Sequence, residues 1–146
     1  MNDKNNIDVL DELNKGACMG MDAIHYILDK VDNEALKKEL DCQYREYKEI
    51  SEEINKLYPK YNDSEEQPHR TNAMNKAMTW YGIEMKTILD SSTSKIAELL
   101  LQGTNMGIIE GRKLLNHKNM DENVHSLVQK YVSTQEKAVE KLKQFL

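Results

Sequence analysis

The sequence predicts an all-α fold, a single domain in which four long helices form two similar hairpins. Apolar residues recur at steps of three and four along almost the whole chain, which is the period of an α-helix. Glutamate, lysine, leucine and alanine are abundant and form helices readily, and only two prolines and six glycines interrupt them. The length of 146 residues is enough for one domain with its own apolar core.

The first hairpin is predicted to span residues 6–60. Its first helix covers about 6–31 and begins at Asn6, a residue type that caps helices well. The second helix, about 33–60, follows the predicted cap Asp32. The side chains expected on the buried face of this second helix recur every three or four residues, and they are Leu36, Leu40, Gln43, Tyr47, Ile50, Ile54 and Leu57.

A crossover, residues 61–93, is predicted to join the two hairpins. It opens with a polar loop and continues as a shorter amphipathic helix over about 72–89. The cluster of Asp, Ser and Thr at 90–94 then ends this helix and caps the next one. A connection of this length can return along the bundle, so we expect the second and third long helices to run parallel.

The second hairpin is predicted to span residues 94–146, with helices over about 94–117 and 121–145. The connection near residue 119 is short, so these helices are expected to be antiparallel neighbours. The chain 1–146 is therefore expected to form one domain. The predicted buried face of the last helix consists of Val124, Val128, Tyr131, Gln135, Ala138, Leu142 and Phe145.

The two hairpins resemble each other in sequence. The segment Gly16–Met21 aligns with Gly103–Ile108 at a separation of 87 residues, and both contain Gly-x-x-Met-Gly. The apolar faces of the second and last helices match best at a separation of 88. Glycine costs about 1 kcal/mol relative to alanine inside a helix. Its repetition therefore favours an internal duplication over the chance likeness of two amphipathic helices.

Glycines are predicted to face the interior of both hairpins, where they permit close helix packing or leave room for a bulky ring. The candidates to fill that room are Trp80, the tyrosines and the methionines. Ordinary close packing is the favoured interpretation, and a pocket for a small apolar molecule is the alternative. The glycines are Gly16, Gly20, Gly103, Gly107 and Gly111.

Four features of the chain occur together: the segment Leu13–Gly16, the turn Val31–Lys37, Trp80 in the crossover, and Gln102–Gly103 in the third long helix. This arrangement resembles a bacterial ferritin-like family of unknown function, found in clostridia and their relatives. The resemblance extends over nearly the whole chain. It implies a ferritin-like four-helix bundle with no assigned activity. The likeness in fold does not by itself indicate a reaction.

A ferritin-like bundle raises the hypothesis of a di-iron or di-manganese centre. Such a centre takes one glutamate from each of two helices and Glu-x-x-His from each of the other two. The inward rows of the first and third long helices are predicted to contain no carboxylate. Glu49 and Glu136 correspond in the repeat, yet neither is followed three residues later by histidine. We therefore expect no di-metal centre, no other cofactor and no catalytic residue.

A surface site for Zn²⁺ or Ni²⁺ is a second metal hypothesis. Asp22 with His25, and Glu122 with His125, each place a carboxylate and an imidazole on one helix face, and these ions accept both ligands. With both hairpin loops at the same end of the bundle, the two pairs would converge there with His117. Chance also accounts for the spacing in a chain with 25 acidic residues. We therefore predict no metal site and keep the two pairs as candidates.

Charge and hydropathy narrow the classes of partner. A net charge of −5 argues against nucleic acid, which requires clustered lysine and arginine. No apolar run approaches the roughly 20 residues of a membrane span, and no signal peptide is recognisable at the start. Cys18 and Cys42 form no Cys-x-x-Cys motif and are expected to be reduced thiols. The sequence predicts a cytoplasmic protein without a nucleic-acid or membrane partner.

The first functional hypothesis is a non-catalytic scaffold or interaction protein that self-associates, through an exposed stripe of the bundle or through the methionine-rich crossover helix. Met74, Met78 and Met85 of that helix are adaptable side chains that can serve a partner surface as well as a core. One alternative is a ferritin-like metal-binding protein or oxidoreductase with atypical ligands. The other is a binder of a small apolar ligand in the glycine-lined interior.

Three polar residues, Asn14, Gln43 and Gln135, interrupt otherwise apolar helix faces. In helical bundles such residues set the register of neighbouring helices, and this is the role expected here. Ligand binding is the alternative role.

Overall fold

The structure is a computed structural model that describes residues 3–62 and 76–146, and over 76–80 it describes the backbone alone. Helices account for most of this part of the chain, which contains no β-strand. None of these helices is both long enough and apolar enough to cross a membrane. The all-α prediction is confirmed. In chain order the helices are α1 (Asp3–Ile27), α2 (Glu34–Leu57), α3 (Lys76–Lys86), α4 (Thr93–His117) and α5 (Glu122–Lys143).

The helix limits differ from the predicted ones by a few residues. α1 and α2 are each followed by a short 3₁₀ turn, Leu28–Lys30 and Tyr58–Lys60. α3 ends at Lys86, earlier than the predicted limit. Most of the predicted polar loop (60–71) and the predicted first turn of the crossover helix (from 72) fall within residues 63–75, which lie outside the described residues.

Two of the predicted helix caps are wrong and one is confirmed. α1 begins before Asn6, so this residue lies within the helix and does not cap it. The cap of α2 is Asn33 rather than Asp32, because Asn33 has the extended backbone of a cap and its Oδ1 atom accepts a backbone N–H from the first turn at 3.0 Å. The Ser92 hydroxyl caps α4 in the same way, at 3.3 Å, within the predicted cluster.

Asp121, between α4 and α5, joins three helices at one end of the bundle. Its backbone N–H donates to the buried Oδ1 atom of Asn6 at 2.8 Å, which places the start of α1 here. Its carboxylate accepts from the Tyr61 hydroxyl at 2.8 Å, which places the end of α2 here. α1 therefore runs parallel to α5, and α2 runs parallel to α4, which agrees with the direction predicted from the crossover. The two hairpin loops lie at opposite ends.

The core lies between two antiparallel pairs, α1 with α2 and α4 with α5. α2 also packs on α5, α1 packs on α4, and α3 packs on both α1 and α4. The predicted α2 face is buried from Leu36 to Ile54, and the predicted α5 face is buried from Val124 to Leu142. Each large apolar side chain removed from water contributes about 1.5–3 kcal/mol. The largest fully buried side chains include Leu10, Leu13, Ile27, Leu40, Ile50 and Ile96.

α3 attaches to the bundle by one face. Tyr81 and Met85 are 5% and 1% exposed, whereas Ile83 on the other face is 55% exposed. Met85 is therefore a core side chain, which is one of the two roles suggested for it, and it is not part of a partner surface. The side chains of Met74 and Met78 lie outside the described residues.

We expect Asn6→Ala to lower the free energy of unfolding by about 1–3 kcal/mol, because the Asp121 N–H loses its acceptor. Chemical denaturation followed by circular dichroism measures the change. Asn55→Ala is the matched control, because the exposed Asn55 amide donates to a carbonyl of its own helix and alanine is the better helix former. Equal stability of the two variants would contradict the role of Asn6.

Candidate functional site

Tyrosine rings fill the space that glycines leave inside the bundle. A Cβ atom at Gly16 would overlap the Tyr131 side chain, and one at Gly20 would overlap the Tyr47 ring. The two rings lie 6.5 Å apart between centroids at an angle of 56°, within the range that aromatic pairs prefer. α1 thus needs glycine at both positions, because a tyrosine side chain occupies the space that each glycine leaves.

The glycines of α4 receive three different groups. A Cβ atom at any of these glycines would overlap a neighbouring side chain. The side chain of Trp80, a predicted occupant, lies outside the described residues. The observed occupants are Tyr81 of α3 at Gly103, the Gln135 amide at Gly107 and Val132 at Gly111.

The internal repeat relates one of these contacts to another. Gly107 lies 87 residues after Gly20, and Gln135 lies 88 residues after Tyr47. Gly20 contacts Tyr47 in the first hairpin, and Gly107 contacts Gln135 in the second. Equivalent positions therefore pack against each other in both hairpins, which supports the predicted duplication.

A cavity of about 40 Å³ remains among these groups, large enough for water. Its wall is partly polar. The Gln43 amide donates to the Glu39 carboxylate at 2.8 Å, and the Thr104 hydroxyl donates to the Leu100 carbonyl at 2.7 Å. The interior therefore combines rings with hydrogen-bonding groups, whereas the ligand hypothesis from the sequence assumed an apolar molecule.

Asn14 and Gln135, two of the polar residues on apolar helix faces, have contrasting surroundings. Asn14 accepts a hydrogen bond from the Ser51 hydroxyl at 2.8 Å, which links α1 to α2 as a register-setting residue would. Gln135 is 3% exposed and interacts with the hydroxyls of Tyr47 and Tyr131. Its Oε1 atom has no hydrogen-bond partner within the described part of the chain. Such buried acceptors are rare in folded proteins.

Burial keeps the three interior phenols neutral. Removal from water is the main cause that raises the pKa of Tyr47, Tyr81 and Tyr131. For Tyr47, hydrogen bonds with Gln135 and Thr104 lower the pKa and so oppose part of this effect. The three hydroxyl groups are therefore protonated at neutral pH and can both donate and accept hydrogen bonds inside the bundle.

The two candidate metal pairs lie at opposite ends of the bundle. Glu122 and His125 are in the first turn of α5, beside the start of α1. Asp22 and His25 are near the end of α1, roughly 25 Å away at 1.5 Å per residue. The predicted convergence, which included His117, is wrong because the hairpin loops do not share an end. No three His, Cys, Asp or Glu side chains of the described residues form a group that could hold a metal ion.

One carboxylate is buried in α1, contrary to the prediction. Asp11 is 8% exposed, and it lies beside Lys15 and Lys118 in a groove between α1 and α4. Asp22 instead borders a groove between α1 and α3. Glu110 lies at the surface and pairs with Lys113 of its own helix at 3.8 Å. These three carboxylates occupy separate parts of the bundle.

The contact between Tyr81 and Gly103 is the part of the site that sequence patterns did not specify. Periodicity places Tyr81 on the apolar side of the crossover helix but does not say which glycine it reaches. The sequence does contain a signal for this contact. At the separation of 88 residues that relates the second helix to the last one, Gln43 is the equivalent of Tyr131. Glutamine has no ring, so the slot at Gly103 is open to a ring from another element.

No protein-family model, curated protein or solved structure matches this chain. The role of the candidate site is therefore inferred from its geometry alone.

We expect Gly20→Ala to destabilise the fold by about 1–3 kcal/mol, because the new methyl group overlaps the Tyr47 ring. Gly82→Ala is the matched control. Nothing lies within 4 Å of a Cβ atom at that position, so the helix propensity of alanine should add about 0.5–1 kcal/mol of stability. Urea denaturation measures both changes, and effects of the same sign would contradict the ring contact.

We expect stability to fall above pH 10, because the pKa values of Tyr47, Tyr81 and Tyr131 in the folded chain lie above the ordinary value of 10.0. The unfolded chain then releases protons that the folded chain retains, at about 1.4 kcal/mol per pH unit for each phenol. Below pH 10 this loss is absent. Tyrosinate absorbance and circular dichroism, recorded together, should show these phenols ionising as the helices unfold. Tyr131→Phe should reduce the slope of the free energy of unfolding against pH above pH 10. Ionisation of all seven tyrosines while the chain stays folded would disprove the burial.

Proposed function

We propose that this chain is a non-catalytic interaction protein of the ferritin-like type, located in the cytoplasm, that self-associates through the side of the bundle formed by α3. The supporting observation is a group of exposed apolar side chains, which we name the α3 surface. Tyr26, Ile83 and Leu89 are 45%, 55% and 99% exposed. They are three of the five large apolar side chains exposed in the described part of the chain, and all belong to α3 or to segments that adjoin it.

The α3 surface is held in place by contacts beneath it. Tyr81 and Met85 anchor α3 in the core. The Lys86 ammonium lies 4.9 Å from the centre of the Tyr26 ring, a cation–π contact that joins α3 to α1. Apolar side chains that are grouped at one surface mark sites of protein association. A second copy of the chain, seated on the α3 surface, would remove these side chains from water.

The topology supports the ferritin-like part of the proposal. Antiparallel hairpins, a long crossover and the parallel course of α2 and α4 match a ferritin-like bundle with one crossover. The two carboxylates that correspond in the repeat pair with cations at the surface, Glu49 with Lys130 at 3.3 Å and Glu136 with Arg112 at 3.5 Å. These pairings support a bundle that works without a di-metal centre.

Static light scattering tests the self-association. We expect the wild-type chain to form a dimer or a larger assembly. A chain with both Ile83→Glu and Leu89→Glu should be monomeric, because burying unpaired carboxylates in a contact is strongly unfavourable. Ile109→Glu is the matched control, because Ile109 is 53% exposed on α4, and this variant should associate like the wild type.

A wild-type chain that stays monomeric at millimolar concentration would refute self-association. Dissociation by Ile109→Glu would place the contact on α4 instead of the α3 surface. Elemental analysis tests the non-catalytic part of the proposal independently. Stoichiometric iron, manganese or zinc that is lost in Glu49→Gln would favour the metal-binding or oxidoreductase alternative.

A further inference from the structure

Tyr81 separates two spaces in the bundle. The inner space is the cavity of about 40 Å³ among the tyrosines, and the outer space is a groove of about 150 Å³ between α1 and α3. Met19, Ala23 and Tyr81 line both of them. A rotation of the Tyr81 side chain would therefore join the two spaces into one chamber that opens at the groove.

The slot at Gly103 is built by the long helices, but its occupant comes from α3. In the first hairpin the equivalent glycine, Gly16, receives Tyr131 of α5. The residue equivalent to Tyr131 is Gln43, and its amide donates to a carboxylate of its own helix. The long helices thus form a slot of ring size and supply no ring for it, and Tyr81 of the short crossover helix fills it.

Gln135 indicates a ligand with a hydrogen-bond donor. This residue lines the inner cavity, is 3% exposed, and has an Oε1 acceptor without a partner among the described residues. Its amide lies against Gly107, where no Cβ atom separates it from the α4 backbone. Because folded proteins pair nearly all buried acceptors, the free Oε1 atom marks a position for a donor.

We propose that the joined chamber binds a small aromatic molecule with one hydroxyl donor, a ligand of the phenol class. The ligand ring takes the slot that Tyr81 leaves, and the ligand hydroxyl donates to the Gln135 Oε1 atom. The space is adequate, because a cavity of about 150 Å³ holds benzene. This ligand site is distinct from the proposed self-association. The Gln135 amide that recognises the ligand lies inside the bundle and not on the α3 surface.

The test compares phenol with benzene on the wild-type chain. Titration followed by the NMR shifts of the Gly103 and Gly107 amides yields a dissociation constant for each compound. We expect phenol to bind about ten-fold more tightly than benzene, which is the effect of one hydrogen bond to a buried acceptor. Light scattering on the same samples measures self-association separately. Phenol binding does not require a dimer, so either proposal can fail without the other.

Two variants sharpen the comparison. Gln135→Leu removes the acceptor and retains a side chain of similar size, so phenol should lose its ten-fold advantage over benzene. Tyr81→Ala opens the slot permanently, so phenol should bind more tightly than it binds the wild type. Ile109→Glu, a surface change on α4, should bind both compounds as the wild type does.

Either of two results on the wild-type chain would overturn the proposal. Equal affinity for phenol and benzene would exclude recognition of a donor. No amide shift at saturating phenol would mean that Tyr81 is a fixed core residue and that the cavity holds water only. The comparison of phenol with benzene on the wild-type chain tests the proposal even if Tyr81→Ala or Gln135→Leu fails to fold.

Discussion

The glycines of α1 and α4 have no Cβ atom, so they leave a gap in the middle of the bundle. Side chains of the other helices fill this gap. Tyr47 from α2, Tyr131 from α5 and Tyr81 from α3 each insert a ring against a glycine. Because protein interiors are close-packed, a ring fits only where a glycine faces it. This fit restricts the rotation of each helix about its axis, so the positions of the glycines determine how the hairpins face each other.

Tyrosine rings also bring hydroxyl groups into the core, and these groups need partners. Thr104 and Gln135 are hydrogen-bond partners of the Tyr47 hydroxyl, and burial keeps the phenols neutral. A buried polar network favours one arrangement when all its members are paired, and it is a weak point where one member is not. The Gln135 Oε1 atom is such a member among the described residues, and the residue lines the central cavity. The packing of the core and the inferred ligand site therefore have the same origin.

The direction of the helices decides which side chains become neighbours. Because α1 runs parallel to α5, one end of the bundle collects the hydrogen bonds of Asn6 and Tyr61 with Asp121. The other end collects Tyr26 and Ile83, which are exposed and apolar. α3 contributes to both inferred functions, since Tyr81 on its inner face lines the central cavity and Ile83 on its outer face forms part of the α3 surface. The proposed ligand entry and the proposed self-association thus both involve α3.

Helical class, the buried faces of α2 and α5, and the inward glycines were determined by the sequence itself. These features depend on residues within one or two turns of each other, where periodicity is informative. Periodicity did not choose between Asp32 and Asn33 as the cap of α2, because both residue types cap helices. Only the tertiary structure decided the occupant of the Gly103 slot, the burial of Asp11 and the separation of the two metal-ligand pairs. Each of these depends on the direction and rotation of helices far apart in the chain, which local patterns do not encode.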